Sequence, residues 1–231
     1  MENKLELHKM SDEDRFKLAI KLLQDQVVDQ RKRLHFWRDL TNQPAQIDTG
    51  YVSQHLVSII TKIPGEGMRG KGDDLQDGSE VKSANFLDSL DKKGAVAPRW
   101  NFSSNDLTIM ENYLKVPAIY LVSLDQNPSG RFRARVWKID PKMHKIFVQR
   151  YHEWMEKLGK PKLNDPKRPG VNFQLFPPRN KSNDNYARHG NGRENGFEPI
   201  KVMLEGVNGA QLLFMAEENE QGIITLKSPN L

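Results

Sequence analysis

The residues most able to do chemistry lie close together, in Asp73-Asp74-Leu75-Gln76-Asp77-Gly78-Ser79-Glu80-Val81-Lys82. Two carboxylates separated by a tight turn can converge on one divalent cation. Glu80 and Lys82, two apart on an extended strand, project to the same face. A hard cation such as Mg²⁺ takes few carboxylates and keeps several waters. The Lys82 ammonium beside it could orient or help deprotonate a metal-bound water, or offset charge on a phosphorane-like transition state. Taken alone, Glu-x-Lys is a common accident of charged strands, and its ordinary reading is a surface ion pair.

Other short motifs fail on context. Gly65-Glu66-Gly67-Met68-Arg69-Gly70 satisfies G-x-G-x-x-G, but a helical pattern leads into it where dinucleotide binding needs an apolar strand. Gly65 to Lys71 also begins a phosphate-binding P-loop, yet Gly72 stands where a hydroxyl should reach magnesium. His152-Glu153 opens a zinc-protease signature whose second histidine position is Glu156, so His152 reads as a helix-surface residue. His189 beside Asn191 has no second histidine nearby, which disfavours a histidine-based nuclease.

The elements that must position the motif can be read from periodicity. Ser11 followed by Asp12, Glu13 and Asp14 caps a helix whose apolar residues Phe16, Ala19, Ile20, Leu23 and Val27 share a face, predicting a long helix from Ser11 to Leu40. A second helix is expected over Tyr51 to Lys62, ending at Pro64-Gly65 before a Gly-rich loop to Gly72. Asp77-Gly78 is a turn, and Ser79 to Ala84 reads as a strand. Ala118 to Leu124 and Arg131 to Ile139 make a hairpin across Asn127-Pro128-Ser129-Gly130. Asp140-Pro141 is expected to start a helix through Leu158, with Met143, Ile146, Phe147, Tyr151, Trp154 and Leu158 along one face. Ile200 to Leu204, Ala210 to Ala216 and Gly222 to Leu226 read as late strands. The class is α/β, with a central mixed sheet flanked by helices.

Composition sets bounds. The chain has 231 residues, 37% apolar and 28% charged, which predicts one globular domain with an N-terminal helical segment (1–48), a core (49–159) and a C-terminal segment (160–231). With no cysteine there is no disulfide framework, thiolate metal site or cysteine nucleophile, and a reducing cytosol is compatible. Charges at Glu2, Lys4 and Glu6 argue against a signal peptide, and no run reaches the roughly 20 apolar residues of a membrane span. Between Lys160 and Asn195 eight basic residues face three acidic ones, an excess equal to the +5 of the whole chain. A segment rich in Asn, Gly and Arg suits phosphates and base edges, although a solvated loop has the same composition.

The motif segment resembles the active site of the PD-(D/E)xK nuclease superfamily, which includes many type II restriction endonucleases. There a helix, a loop, an acidic residue at a hairpin and then (D/E)-x-K on the next strand follow in that order. Here the order is Tyr51 to Lys62, Gly65 to Gly72, Asp73 or Asp74, and Glu80-x-Lys82. The spacing from Asp73 to Glu80 is similar to that of mismatch-repair strand-nicking endonucleases. Gly70 to Ser83, with Ser53-Gln54-His55-Leu56 upstream, is similar to MamI-type restriction enzymes. The likeness covers Tyr51 to Asn85. Gly72 replaces the superfamily's proline, and Gln54, or Glu66 in the loop, stands where several members carry a further acid.

The resemblance implies a restriction-endonuclease-like core and a Mg²⁺-dependent endodeoxyribonuclease, with Mn²⁺ able to substitute. Asp73 and Glu80, with the Val81 carbonyl, would ligate the metal. Asp74 is the alternative to Asp73, and Lys82 would position the attacking water. Products would carry 5′-phosphate and 3′-hydroxyl ends. It also implies double-stranded DNA as substrate, a homodimer, a companion DNA methyltransferase and a prokaryotic cytoplasm. Arg suits guanine and Asn or Gln suits adenine in the major groove. The candidate reading residues are therefore Asn172, Gln174, Arg179, Asn180, Lys181, Asn183, Asn185, Tyr186, Arg188, Asn191, Arg193 and Asn195, with Lys160, Lys162, Lys167 and Arg168 for phosphates. Trp100 and Phe102 could approach DNA but are the size of residue usually buried. The first helix, with Phe36 and Trp37 near its end, could form a dimer interface or pack on its own sheet. A non-catalytic DNA-binding protein and a repair or nicking nuclease are the rival readings.

Overall fold

The computed structural model describes residues 6–43, 45–67, 74–87, 98–167, 170–190 and 197–229. Asp73, Arg168, Asn191, Arg193 and Asn195 lie outside the described residues. Helix α1 (Asp12–Leu23) begins where its cap predicts, with Ser11 Oγ accepting from Asp14 N at 3.1 Å. One wider π-turn (Gln24–Val28) joins it to α2 (Asp29–Thr41), so the expected long helix forms with a single interruption. Phe16, Ala19, Leu23 and Val27 are buried along its inner face. Helix α3 (Gly50–Thr61) ends at Lys62 in the left-handed region, φ 64°. The buried Arg15 guanidinium donates to the carbonyls of Ile59 and Ile60, satisfying groups that a helix end leaves without partners and fixing α1 against α3.

Nine strands follow in the described residues: β1 (Glu80–Asn85), β2 (Trp100–Ser104), β3 (Ile119–Gln126), β4 (Phe132–Ile139), β5 (Val171–Leu175), β6 (Tyr186–His189), β7 (Ile200–Met203), β8 (Ala210–Glu218) and β9 (Ile224–Pro229). The central sheet has the order β1-β3-β4-β8-β9, in which β1 and β3 are parallel and the other neighbours antiparallel. The C-terminal segment thus contributes two strands to the same sheet as the motif. β2 pairs with β5, and β6 with β7, as two antiparallel ribbons.

Each face of the sheet builds a core. On one, Val81, Tyr120, Val122, Ala134 and Phe214 pack against α1 and α3. On the other, Ala84, Leu121 and Trp137 meet the ribbons and helix α5 (Lys145–Trp154), through Trp100, Phe102, Phe147, Tyr151, Trp154 and Phe173. The architecture is the expected α/β class with a central mixed sheet flanked by helices. Among the described residues, no helix is long and apolar enough to cross a membrane.

Several expectations need correction. The helix expected from Asp140 begins at Lys145, because Met143 and His144 turn their amides back to the Asp140 carbonyl and the His144 ring then accepts from Phe147 N at 3.2 Å. Met143 and Ile146 are exposed, so of the expected face Phe147, Tyr151 and Trp154 form the buried stripe, with Leu158 half-buried against the same core. β2, β5, β6, the short helix α4 (Leu107–Asn112) and one turn of helix, α6 (Lys160–Leu163), form where no regular structure was expected. The first helix packs its middle on the sheet while Phe36, Trp37 and Leu40 at its end stay exposed.

Candidate active site

The motif strand is delivered by a hairpin. Glu66 N donates to the Asp74 carbonyl and Gln76 N to that of Pro64, at 3.3 and 2.9 Å. The chain reverses at Asp77-Gly78, where Gly78 has φ 84° and Ser79 N is held by Asp77 Oδ1 at 2.9 Å. Leu75 is fully buried and anchors this turn to the α3 side of the sheet.

Among the described residues β1 is the terminal strand of its sheet, and its successive backbone groups face alternate sides. Glu80 N donates to Ala118 O at 3.0 Å and Phe86 N to Leu124 O at 2.8 Å, which places the even residues' amides toward β3. The amide and carbonyl of Val81 therefore point to the open flank. There Asp74 Oδ2 accepts from Val81 N at 2.8 Å, and Asp74 Oδ1 accepts from Gln54 Nε2 at 2.6 Å. One carboxylate is thus fixed from two sides beside the Val81 carbonyl. Glu66 is exposed.

Glu80 and Lys82 share a face and form an ion pair, both largely shielded from solvent. The Lys82 ammonium also lies over two ring faces, 5.0 Å from the Tyr113 centroid and 5.6 Å from that of Phe102. The two rings meet edge to face at 5.2 Å, and Tyr113 Oη donates to Ser103 O at 3.3 Å. Burial opposes the charge on Lys82 and is the largest single influence. Glu80, the Tyr113 hydroxyl and Asp74 together outweigh it, and the ammonium is held above its usual range. A raised pKa favours the charged form of Lys82 at neutral pH. That form can orient or offset negative charge but does not take up a proton.

Asp74, Glu80, Val81 and Lys82 are therefore brought together, with Gln54 at the margin. Among the described residues no group of three or more acidic or histidine side chains forms. The donor set is two carboxylates and a carbonyl. These are hard oxygens that suit Mg²⁺ with retained waters, and each Asp74 oxygen keeps lone-pair capacity beyond the bond it accepts.

The candidate reading residues divide. Asn172 and Gln174 lie on the outward face of β5, paired opposite Ser103 and Asn101. The stretch from Arg179 to Asn185 sits by the β3–β4 hairpin, where Lys181 N donates to Gln126 O and Asn180 Oδ1 accepts from Gln126 N at 2.8 Å. Gln126 is seven positions along β3 from Ile119, the partner of Glu80, or roughly 20 Å along the strand. Arg179, Lys181 and Asn183 are exposed there. Beneath them Asp125, completely buried, accepts from Arg133 Nε at 2.9 Å, Arg133 Nη2 at 3.0 Å and Arg135 Nη2 at 2.6 Å. The same arginines donate to Ser182 O and Asp184 O, at 2.7 and 3.0 Å, staking the segment down. Asn185 O accepts from Leu204 N at 2.9 Å, the Tyr186 ring carries Lys201 at 4.3 Å, and Arg188 Nη2 donates to Pro177 O at 3.3 Å. Lys167 is exposed, Lys160 pairs with Glu156 and Lys162 is half-buried.

His189 is fully buried and stacked on Phe173 at 4.3 Å, which removes it from any surface chemistry. His152 is exposed on α5, and Trp100 and Phe102 are fully buried, as expected. Sequence reasoning missed Tyr113, Arg99, Arg133, Arg135 and Asp125. Tyr113 lies 31 positions from Lys82 with no motif to link them. The Asp125, Arg133 and Arg135 cluster left one trace, charges inside strands otherwise strongly apolar.

The family model for the MamI restriction endonuclease matches residues 36–216, which takes in Asp74, Glu80 and Lys82. "Type II restriction enzyme MamI" of Microbacterium ammoniaphilum is 38% identical over 178 residues, covering 68% of this chain and 53% of that protein. The chain thus spans about half the length of the curated relative it matches. No solved structure matches significantly. With a match over most of its length and the motif strand inside it, the chain belongs to the MamI restriction endonuclease family.

Proposed function

We propose that the chain is a type II, site-specific endodeoxyribonuclease that hydrolyses phosphodiester bonds of double-stranded DNA with Mg²⁺, Mn²⁺ substituting. The observation that carries the reading is that Asp74, held on the Val81 amide, and Glu80, paired with the Lys82 ammonium, come together on β1, the edge strand among the described residues. Asp74 is preferred over Asp73 as the acid, because its carboxylate is fixed on the flank where Val81 presents its carbonyl. Glu80 is the second carboxylate.

Those three oxygen donors would hold the cation, which supplies Lewis-acid polarisation of the phosphate and a more acidic water. Lys82 orients the attacking water and offsets the charge that grows on the phosphoryl oxygens. Gln54 holds Asp74 in place from α3. Tyr113 and Phe102 hold the ammonium from below. The products are expected to carry 5′-phosphate and 3′-hydroxyl ends. A homodimer, using the exposed Phe36, Trp37 and Leu40, a cognate methyltransferase and a prokaryotic cytoplasm complete the reading.

The test is incubation of the purified protein with long, defined duplex DNA and Mg²⁺, with EDTA and Lys82→Ala controls, followed by sequencing of the ends. Discrete fragments that vanish in both controls support the reading. Intact DNA under varied methylation and with Mn²⁺, together with a salt-dependent gel shift that Lys82→Ala leaves unchanged, would refute it in favour of a non-catalytic binding protein.

A further inference from the structure

We propose that the outward face of the β2–β5 ribbon is the base-reading surface, entering the major groove of duplex DNA, with Arg99 and Asn101 joining Asn172 and Gln174 as reading residues. The inference rests on the nuclease reading above and assigns where its sequence specificity resides. Along both strands the inward residues, Ser104 excepted, are apolar and buried, whereas the outward positions are Asn101, Ser103, Asn172 and Gln174. No carboxylate or aliphatic side chain stands among those four outward positions. A two-stranded ribbon is one of the shapes the major groove admits, and Asn and Gln amides match the N6/N7 edge of adenine, as Arg matches guanine O6/N7.

The Gln174 and Asn101 amides are already held by their oxygens. Arg99 Nη1 donates to Gln174 Oε1 at 2.6 Å, which leaves the Gln174 amino group to point elsewhere. Asn172 Nδ2 donates to Asn101 Oδ1 at 3.1 Å, leaving the Asn101 amino group as a donor. Asn172 Oδ1 is shielded from solvent and, among the described residues, accepts no hydrogen bond. Rotation of that amide toward an incoming base amino group would satisfy it.

Position supplies the second argument. Phe102, between Asn101 and Ser103 on β2, is the residue whose ring lies 5.6 Å beneath the Lys82 ammonium. The reading face is thus one strand thickness from the group that would meet the scissile phosphate. By contrast, Asn180 spends its side-chain carbonyl on Gln126 N at the far end of β3. One face of the ribbon would read bases while the other, through Phe102, lies against the Lys82 ammonium of β1.

The experiment uses a randomised duplex library and the full chain. Cut ends are sequenced in Mg²⁺, and bound duplexes are selected in Ca²⁺, for wild type, Asn101→Ala, Gln174→Ala and the double variant, each checked for an unchanged melting temperature. The expected result is loss of discrimination at one or two base positions by roughly tenfold or more. Variants that cut and select the same sequences as wild type overturn the proposal. So does specificity that shifts on Arg179→Ala and not on the ribbon variants. A wild type that neither cuts nor enriches any sequence overturns the nuclease reading itself, and this inference with it.

Discussion

Asp125 sits completely buried between two arginines that are themselves almost without solvent, and this makes the consequence of removing its charge calculable. Asp125→Asn keeps the shape of the side chain but replaces a doubly charged contact with an amide whose amino group faces guanidinium donors. Two buried cations lose their counter-charge, and breaking a buried pair in this way costs about 3–5 kcal/mol. At roughly 2–4 °C per kcal/mol for a chain of this size, the melting temperature should fall by roughly 6–20 °C. Calorimetry or circular dichroism in matched buffer reads it. The triple replacement Asp125→Leu, Arg133→Met, Arg135→Leu should recover most of the loss, since apolar groups of similar volume replace buried ion networks at little cost. That triple variant should nonetheless be cut faster by trypsin at Arg179 and Lys181, because Ser182 O and Asp184 O have lost their arginine donors. A melting temperature for Asp125→Asn within about 2 °C of wild type would refute the assignment of this network as a principal stabiliser.

Tyr113→Leu should slow single-turnover cleavage by about 2- to 30-fold, the equivalent of a cation–π contact of about 0.5–2 kcal/mol, while Tyr113→Phe keeps the ring and most of the rate. Equal effects from the two would remove the ring face from the argument. Gln54→Glu sets a third carboxylate against Asp74. It should lower the melting temperature in EDTA and lower the Mg²⁺ concentration for half-maximal cleavage, both readable on one preparation. Burial, with Arg150 nearby, pulls His189 from its ordinary value down to about 3. The unfolded imidazole takes up its proton near 6.5 and the folded one only near 3, so its contribution is complete above pH 6.5 and is lost as pH falls through that window. Urea titrations should show wild type losing about 2 kcal/mol more than His189→Gln between pH 6.5 and 5, and parallel curves would contradict it.

How far the sequence could be read depended on whether an element announces itself locally. The Ser11 cap, the helix before the Gly-rich loop, the Asp77-Gly78 turn and the apolar strands of the hairpin all follow from neighbours a few residues apart. β2 and β5 do not. Their outward amides dilute the strand signal, and each finds its partner some 71 positions away, as the bond between Asn101 and Asn172 illustrates. The basic segment was legible as charge but not as shape: it contains a ribbon strand near Lys82 and a staked-down loop at the opposite end of β3. At the site, strand alternation was enough to place Glu80 and Lys82 on one face, but only the resemblance distinguished a site from a surface ion pair. Asp73 and Asp74 were not separable by spacing, because the hairpin geometry that fixes Asp74 involves Pro64 and Glu66 across the turn.

The carboxylate of Asp74 has one more consequence. β1 is the last strand of its sheet, and a terminal strand with free amides is a template on which a second molecule can add its own strand. By accepting from the Val81 amide, Asp74 occupies one outward donor of that edge, beside the proposed site. If Asp74 also has the metal-binding role proposed for it, the acid would carry two duties, cover of an edge amide and chemistry, and these can be separated. Asp74→Asn retains an oxygen acceptor for the amide and should stay monodisperse when inactive, whereas Asp74→Ala uncovers the Val81 amide and should self-associate more readily on concentration.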